Sequence, residues 1–172
     1  IDNLGSADGD NSEVTSVTDS SGNTYQKLGE FTNANGSAGA GATVSVWASV
    51  LTTQLVSTVG TVTANFSGSV TASAMIVHEF TVTAGAELAV AGTVQTLAND
   101  AADPGSQALS GLASREYLYV RGIASESNST AVITVTGGFT TLSRSVANTG
   151  TSATSMGARG EFKIATSTGE TS

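Results

Sequence analysis

Cysteine is absent, so the chain can form no disulfide, offers no thiol nucleophile and builds no thiolate metal site. Proline and histidine occur once each, at Pro104 and His78, so any imidazole chemistry rests on a single residue. Charged residues make up 12% of the 172, about half the usual share. Aromatics are 5%, with Trp47 the one tryptophan. No apolar run reaches the length a membrane-spanning helix needs. No segment carries a 3.6-residue apolar period, and scarce Lys and Glu argue against much surface helix.

Polarity comes instead from hydroxyls: 24 Ser and 26 Thr. Thr and Val favour strands, because branching at Cβ packs well on a pleated surface, whereas Ser and Gly favour turns. Hydroxyl-rich chains are often disordered, but disorder needs low hydropathy or high net charge per residue. Here the mean hydropathy is +0.10 and the apolar residues alternate, so ordered structure is expected. The formal net charge is -8, from 6 basic and 14 acidic residues. The four arginines and two lysines are scattered along the sequence, with no basic run to track phosphates. Neither nucleic acid nor an anionic membrane is therefore an expected partner.

The length suits one domain, residues 1–172. The chain opens on Ile1 rather than Met and reads as a segment of something longer. Val14 and Val17 open a strand, Asp19-Ser20-Ser21-Gly22-Asn23 is a strong turn, and Thr24–Leu28 returns as the second arm of a predicted hairpin. Asp19 is placed to bond its own backbone, and Gly22 to take a positive φ. Across 43–50, Val44, Val46, Ala48 and Val50 alternate with Thr43, Ser45, Trp47 and Ser49, the period of a half-buried strand with Trp47 on the face away from the valines. Further strands are expected at 62–66, 70–80, 88–97, 116–123, 131–136, 142–146 and 160–165. The run 70–80 is the most apolar and reads as a central strand. Gly/Ala-rich 33–42 and Ser/Thr-rich 147–156 read as end loops. About nine or ten short strands with frequent turns predict an all-β antiparallel β-sandwich, jelly-roll or Ig-like.

Candidate chemistry is thin. The acidic opening holds Asp2, Asp8, Asp10 and Glu13, hard oxygens of which Asp8 and Asp10 are candidate Ca²⁺ ligands. The spacing fails the EF-hand loop, because Glu13 stands where the glycine belongs, and a solvated loop is the competing reading. No other cofactor is indicated. His78 and Glu79 are adjacent, so on a strand they would point to opposite faces and could not act as a pair. No G-x-S-x-G elbow occurs. Glu30, Glu79, Glu116, Glu126 and Glu161 show no spacing that brings two together as a glycosidase pair, and ion pairing with Arg115, Arg121 or Arg159 is the simpler expectation. Trp47, Tyr117 and Tyr119, with Tyr25, are candidate ligand or interface aromatics: a sugar platform on one reading, core or inter-subunit packing on the other.

Three stretches stand out together: EVTSVTDSSGNTYQKLGEF at 13–31, GLASREYLYVRGIASESNST at 111–130 and RGEFKIATSTGETS at 159–172. In order and across nearly the whole chain, they resemble a group of β-sandwich proteins encoded by tailed bacteriophages and bacteria, virion-surface or prophage products. The shared motifs are turns and strands, so the resemblance carries over no catalytic residue. It implies a non-enzymatic virion structural protein, a capsid decoration or other head or tail surface protein. Such a protein would be homo-oligomeric, bound to other virion proteins, and located on the virion or outside the cell. A secreted glycan-binding or adhesin module shares the same composition and is the alternative.

Overall fold

The computed structural model of the chain describes residues 2–4, 14–33, 42–70, 72–83, 85–86, 89–97, 106–126, 136–147 and 155–171. Among these residues the chain is all-β, without a helix, and every strand pairing is antiparallel. The strands are β1 Asp2–Leu4, β2 Val14–Asp19, β3 Gln26–Asn33, β4 Ala42–Ala48, β5 Val62–Phe66, β6 Ser73–Ala74, β7 Ala108–Leu109, β8 Arg115–Glu126, β9 Thr140–Ala147, β10 Met156–Ser167 and β11 Glu170–Thr171. They form a four-stranded sheet in the order β3-β4-β1-β6, a three-stranded sheet β8-β10-β9, and the pairs β2-β5 and β7-β11.

The two larger sheets share one core. Ala72, Ala74, Met156 and Ala158 are buried together, with Ala42, Ile76, Ala124 and Ala147 packed around them. These residues come from β4, β6 and the residues flanking β6 on one side and from β8, β9 and β10 on the other. Small side chains bring the sheets close. A Cβ added to Gly122 of β8 would stand 3.1 and 3.2 Å from the Cγ2 atoms of Val46 and Val44 on β4.

Alternation fixes which residues share a face. In β10, Met156, Ala158, Gly160, Phe162 and Ile164 lie on the core side, and Arg159, Glu161 and Lys163 on the other. In β4, the valines face β8, and Thr43, Ser45 and Trp47 face away, as the alternation predicts. A bulge in β2 between Val14 and Ser16 shifts the phase, so Val14 and Val17, three residues apart, are both buried.

Three expectations from the sequence are corrected. The Asp19–Asn23 turn exists, with Gly22 at φ 76°, but it does not close a hairpin. β2 pairs with β5 and β3 with β4, so the turn hands the chain from one sheet to another. The predicted central strand at 70–80 shrinks to Ser73–Ala74. Beyond it Ile76 reaches the core, Phe80 meets Phe162 edge-on at 5.4 Å, and Val77, His78 and Glu79 are exposed. The stretch 89–97 is irregular and exposed rather than a strand. Val94 nevertheless fills the space beside Gly29, where a Cβ would come within 2.8 Å of its Cγ1. An apolar run makes a strand only where a partner edge is open to it, which local sequence cannot reveal. The predicted loops at 33–42 and 147–156 are narrower at their ends, because Asn33, Ala42, Ala147 and Met156 belong to β3, β4, β9 and β10; the rest of both loops, save Ser155, and residues 131–135 of a predicted strand lie outside the described residues.

Candidate functional site

The corner between β2 and β3 is densely hydrogen-bonded. Asp19 Oδ1 accepts the backbone N–H groups of Ser21 (2.9 Å) and Asn23 (3.0 Å). Its Oδ2 accepts Asn23 Nδ2 (2.8 Å) and the Tyr25 hydroxyl (2.9 Å). Buried Asn23 reaches on to a distant loop: Nδ2 donates to the Thr53 carbonyl at 2.8 Å, and Oδ1 accepts Thr52 N at 2.9 Å and Thr53 N at 3.0 Å. Desolvation alone would raise the Asp19 pKa, but the hydrogen bonds from Asn23, Tyr25 and Ser21 outweigh it and hold the carboxyl at about 2. Tyr25 moves the other way, to about 12, through desolvation, its hydrogen bond to Asp19 and the neighbouring negative charge. Four donors already engage the carboxylate, so this corner is a clamp that pins the 52–53 loop.

The predicted site residues do not form one site. Asp8 and Asp10 lie outside the described residues, and among those described no cluster of three metal-ligating side chains occurs. Trp47 is half-buried on β4. Its Nε1 donates to Ser45 Oγ at 3.3 Å, and Lys27 Nζ stands 5.4 Å from its ring centroid, paired in turn with Glu30 at 3.1 Å. Tyr117 and Tyr119 sit two residues apart on β8, ring centroids 5.8 Å apart, on the face away from the core. Because β4 and β8 meet through Val44, Val46 and Gly122, Trp47 points away from the two tyrosines, and the three cannot make a common platform.

That outer face of β8-β10-β9 is where ionic groups gather. Glu161 is fully buried at its centre. Arg121 donates to Glu161 Oε2 from Nε at 2.7 Å and also from Nη2. Arg159 Nε lies 2.8 Å from Oε1, an ionic contact without hydrogen-bond alignment, and Arg159 Nη2 donates to Thr141 Oγ1 at 2.8 Å. The Arg121 guanidinium lies over the Phe139 ring, 4.3 Å from its centroid. Lys163 pairs with Glu170 and donates to the Gly137 carbonyl, each at 2.8 Å. Glu161 thus takes the ion-pairing role expected of it.

The sequence reading of the cations as scattered is corrected in space. Arg115, Arg121, Arg144, Arg159 and Lys163, five of the six basic residues, fall on one face of one sheet. They occupy alternate positions of antiparallel strands whose register aligns them, and only the pairing shows that.

His78 Nε2 lies 2.8 Å from Ser143 Oγ on β9. Both ends of this contact have some exposure, and among the described residues no carboxylate orients the imidazole as a triad would require. The core-side face of β8 and β10 holds the other notable surface. Leu118, Val120 and Ile164 are 42, 48 and 56% exposed, and Leu118 pairs directly with Ile164. Among the described residues no helix is long and apolar enough to cross a membrane. Comparison with protein-family models, with curated proteins and with solved structures found no match.

Proposed function

We propose that this chain is a non-enzymatic structural module of a particle surface, a capsid decoration or other head or tail protein, acting through contact area. In this reading the β3-β4-β1-β6 and β8-β10-β9 sheets are the layers of a β-sandwich, and the domain assembles with copies of itself and with other virion proteins. The carrying observation is the exposed apolar row Leu118, Val120 and Ile164. β8 and β10 have 12 residues each, so they run about 40 Å, whereas the 7-residue β4 runs about 24 Å. The facing sheet covers one half of their apolar face, around Gly122, Ala124, Met156 and Ala158; on the other half Phe80 packs against Phe162, and Leu118, Val120 and Ile164 keep their exposure. Contiguous exposed apolar surface on a soluble domain marks a place for another protein. The likeness of the 13–31, 111–130 and 159–172 segments to phage and prophage β-sandwich proteins supports the same reading.

The test is quantitative mass spectrometry of particles produced by the phage or prophage that encodes the chain. Tens to hundreds of copies per particle are expected. Absence from particles, with the protein recovered on cells or in the medium, would overturn the virion reading in favour of a secreted adhesin.

A further inference from the structure

β8 is the long edge of its sheet. It pairs with β10 on one side over 12 residues, and among the described residues no strand pairs with its other side. An edge strand offers its outward N–H and C=O groups as a template for another strand, and folded proteins blunt such edges with bulges, charges or shortness. The other edges of the two larger sheets are blunted in these ways. β6 has only 2 residues. β3 carries a bulge between Lys27 and Gly29. The β9-β10 ladder shifts register between Gly160 and Glu161. By contrast, the β8-β10 ladder runs from Arg115↔Ser167 to Glu126↔Met156 without a shift, and β8 holds no proline. Between Tyr117 and Ser125 its one charged residue is Arg121, already paired with buried Glu161.

We propose that β8 is a dimer edge: two copies join their β8 strands antiparallel about a two-fold axis at Tyr119, so that Leu118 of each lies opposite Val120 of the other. The inference deepens the assembly reading above and rests on it for the meeting of copies; it adds the surface and the register. The occupant is a second copy because β8 is complementary to itself. A two-fold axis normal to the sheet keeps each face continuous, so opposite residues must be an even number apart. Centring on Leu118 sets Arg115 against Arg121, like charges directly opposite, and Val120 against Glu116. Centring on Arg121 sets it against itself, and Glu116 against Glu126. Centring on Val120 leaves Leu118 opposite Gly122, and centring on Gly122 leaves it opposite Glu126. Centres further out shorten the overlap. Centring on Tyr119 avoids every like-charge pair and sets Leu118 and Val120, 42 and 48% exposed, against each other twice. With their β10 neighbours, Ile164, Leu118, Val120 and Phe162 then form an apolar rung across both copies, and symmetry repeats it. Residues 115–123 of each β8 overlap, which gives roughly eight to ten backbone hydrogen bonds between copies.

The test exploits the lack of native cysteine. Leu118→Cys and Val120→Cys are made separately in the whole chain, one carrying a tag so that the cross-linked species separate on a non-reducing gel. Directly opposite residues of an antiparallel pair have Cα atoms about 4.5–5.5 Å apart, within disulfide reach, whereas Leu118 would lie about 7–8 Å from its own copy. Mixed and oxidised, the two variants should give the heterodimer in several-fold excess over either homodimer. In sedimentation the parent chain should be a dimer. Leu118→Lys with Val120→Lys sets lysine against lysine and should give a monomer that still melts cooperatively. A monomeric parent, disulfides without preference for the mixed species, or a dimer that survives the Lys substitutions would each overturn the proposal. Cross-linking of the purified chain is independent of copy number on particles. The mixed disulfide in a chain absent from particles would keep this dimer and remove the virion reading; a particle-bound chain without that disulfide would do the reverse.

Discussion

The two faces of the β8-β10-β9 sheet are built from the same two long strands and differ in almost every physical respect. On the core side the residues are small or apolar: Gly122, Ala124, Met156, Ala158 and Gly160 under the facing sheet, then Val120, Leu118 and Ile164 beyond its edge. On the other side Arg121, Glu161 and Arg159 form a buried ionic centre, flanked by Phe139, Tyr119 and Lys163. One face gains stability from area removed from water alone, the other from charges that compensate one another beside the buried Tyr119 and Ile123. The first is indifferent to which apolar neighbour covers it; the second fails if one member is removed.

The largest effect should follow from breaking the ionic centre. Glu161→Ala leaves two largely buried guanidinium groups facing each other without their shared carboxylate, and we expect a loss of about 3 kcal/mol in urea unfolding. A loss under about 1 kcal/mol would mean that water reaches these arginines and that the face behaves as ordinary surface. Next in size is a strike at the covered half of the apolar face. Gly122→Val drives methyl groups into Val44 and Val46, and overpacking of this kind costs about 2 kcal/mol. Near-neutral behaviour would show that the sheets do not press together there.

The Asp19 clamp sharpens the comparison, because it is polar like the ionic face yet rests on one carboxylate and neutral donors. Its folded pKa of about 2 lies below the ordinary 3.8, so its contribution is present above pH 4 and is lost as pH falls toward 2. Tyr25 is raised from 10.0 to about 12, so its contribution holds below pH 10 and is lost as pH climbs toward 12. Melting temperature against pH should fall in both windows, and Tyr25→Phe should remove its part of the alkaline fall. The smallest effect on stability belongs to the open apolar half. Leu118→Ser with Ile164→Thr should change unfolding by no more than about 0.5 kcal/mol per site and, under the proposed assembly, abolish self-association in sedimentation. Under the same proposal, sulfate should strengthen association of the parent chain, since excluded salts favour apolar burial. Association that survives the double variant would move the interface elsewhere.

Several of these features were legible in the sequence. The D-S-S-G-N segment announced its turn, with Asp19 bonding the backbone and Gly22 at positive φ, because both requirements are local. The alternation around Trp47 placed it opposite Val44 and Val46, and that of 116–123 put Tyr117 and Tyr119 together. What was missed depended on partners distant in sequence. The turn at Asp19 looked like a hairpin, but its first arm pairs with Val62–Phe66, more than forty residues on. The apolar residues of 75–83 looked like a strand, but beyond Ala74 they cross to the other sheet at Ile76 and Phe80. The basic residues looked dispersed because their meeting requires the β8-β10 and β9-β10 registers.

The sequence by itself determined that the chain would be built from strands, where one polar turn would fall, and which residues share a face wherever a strand runs without a bulge. Those are consequences of branching at Cβ, of the two-residue pleat and of glycine's freedom at φ > 0, all of which act within a few residues. The tertiary structure alone decided which strands became neighbours, how far one sheet overhangs the other, and that five dispersed cations would fall on one face, two of them on one buried glutamate. Strand pairing joins residues far apart in the chain, and its outcome depends on which edges and faces the whole fold leaves available.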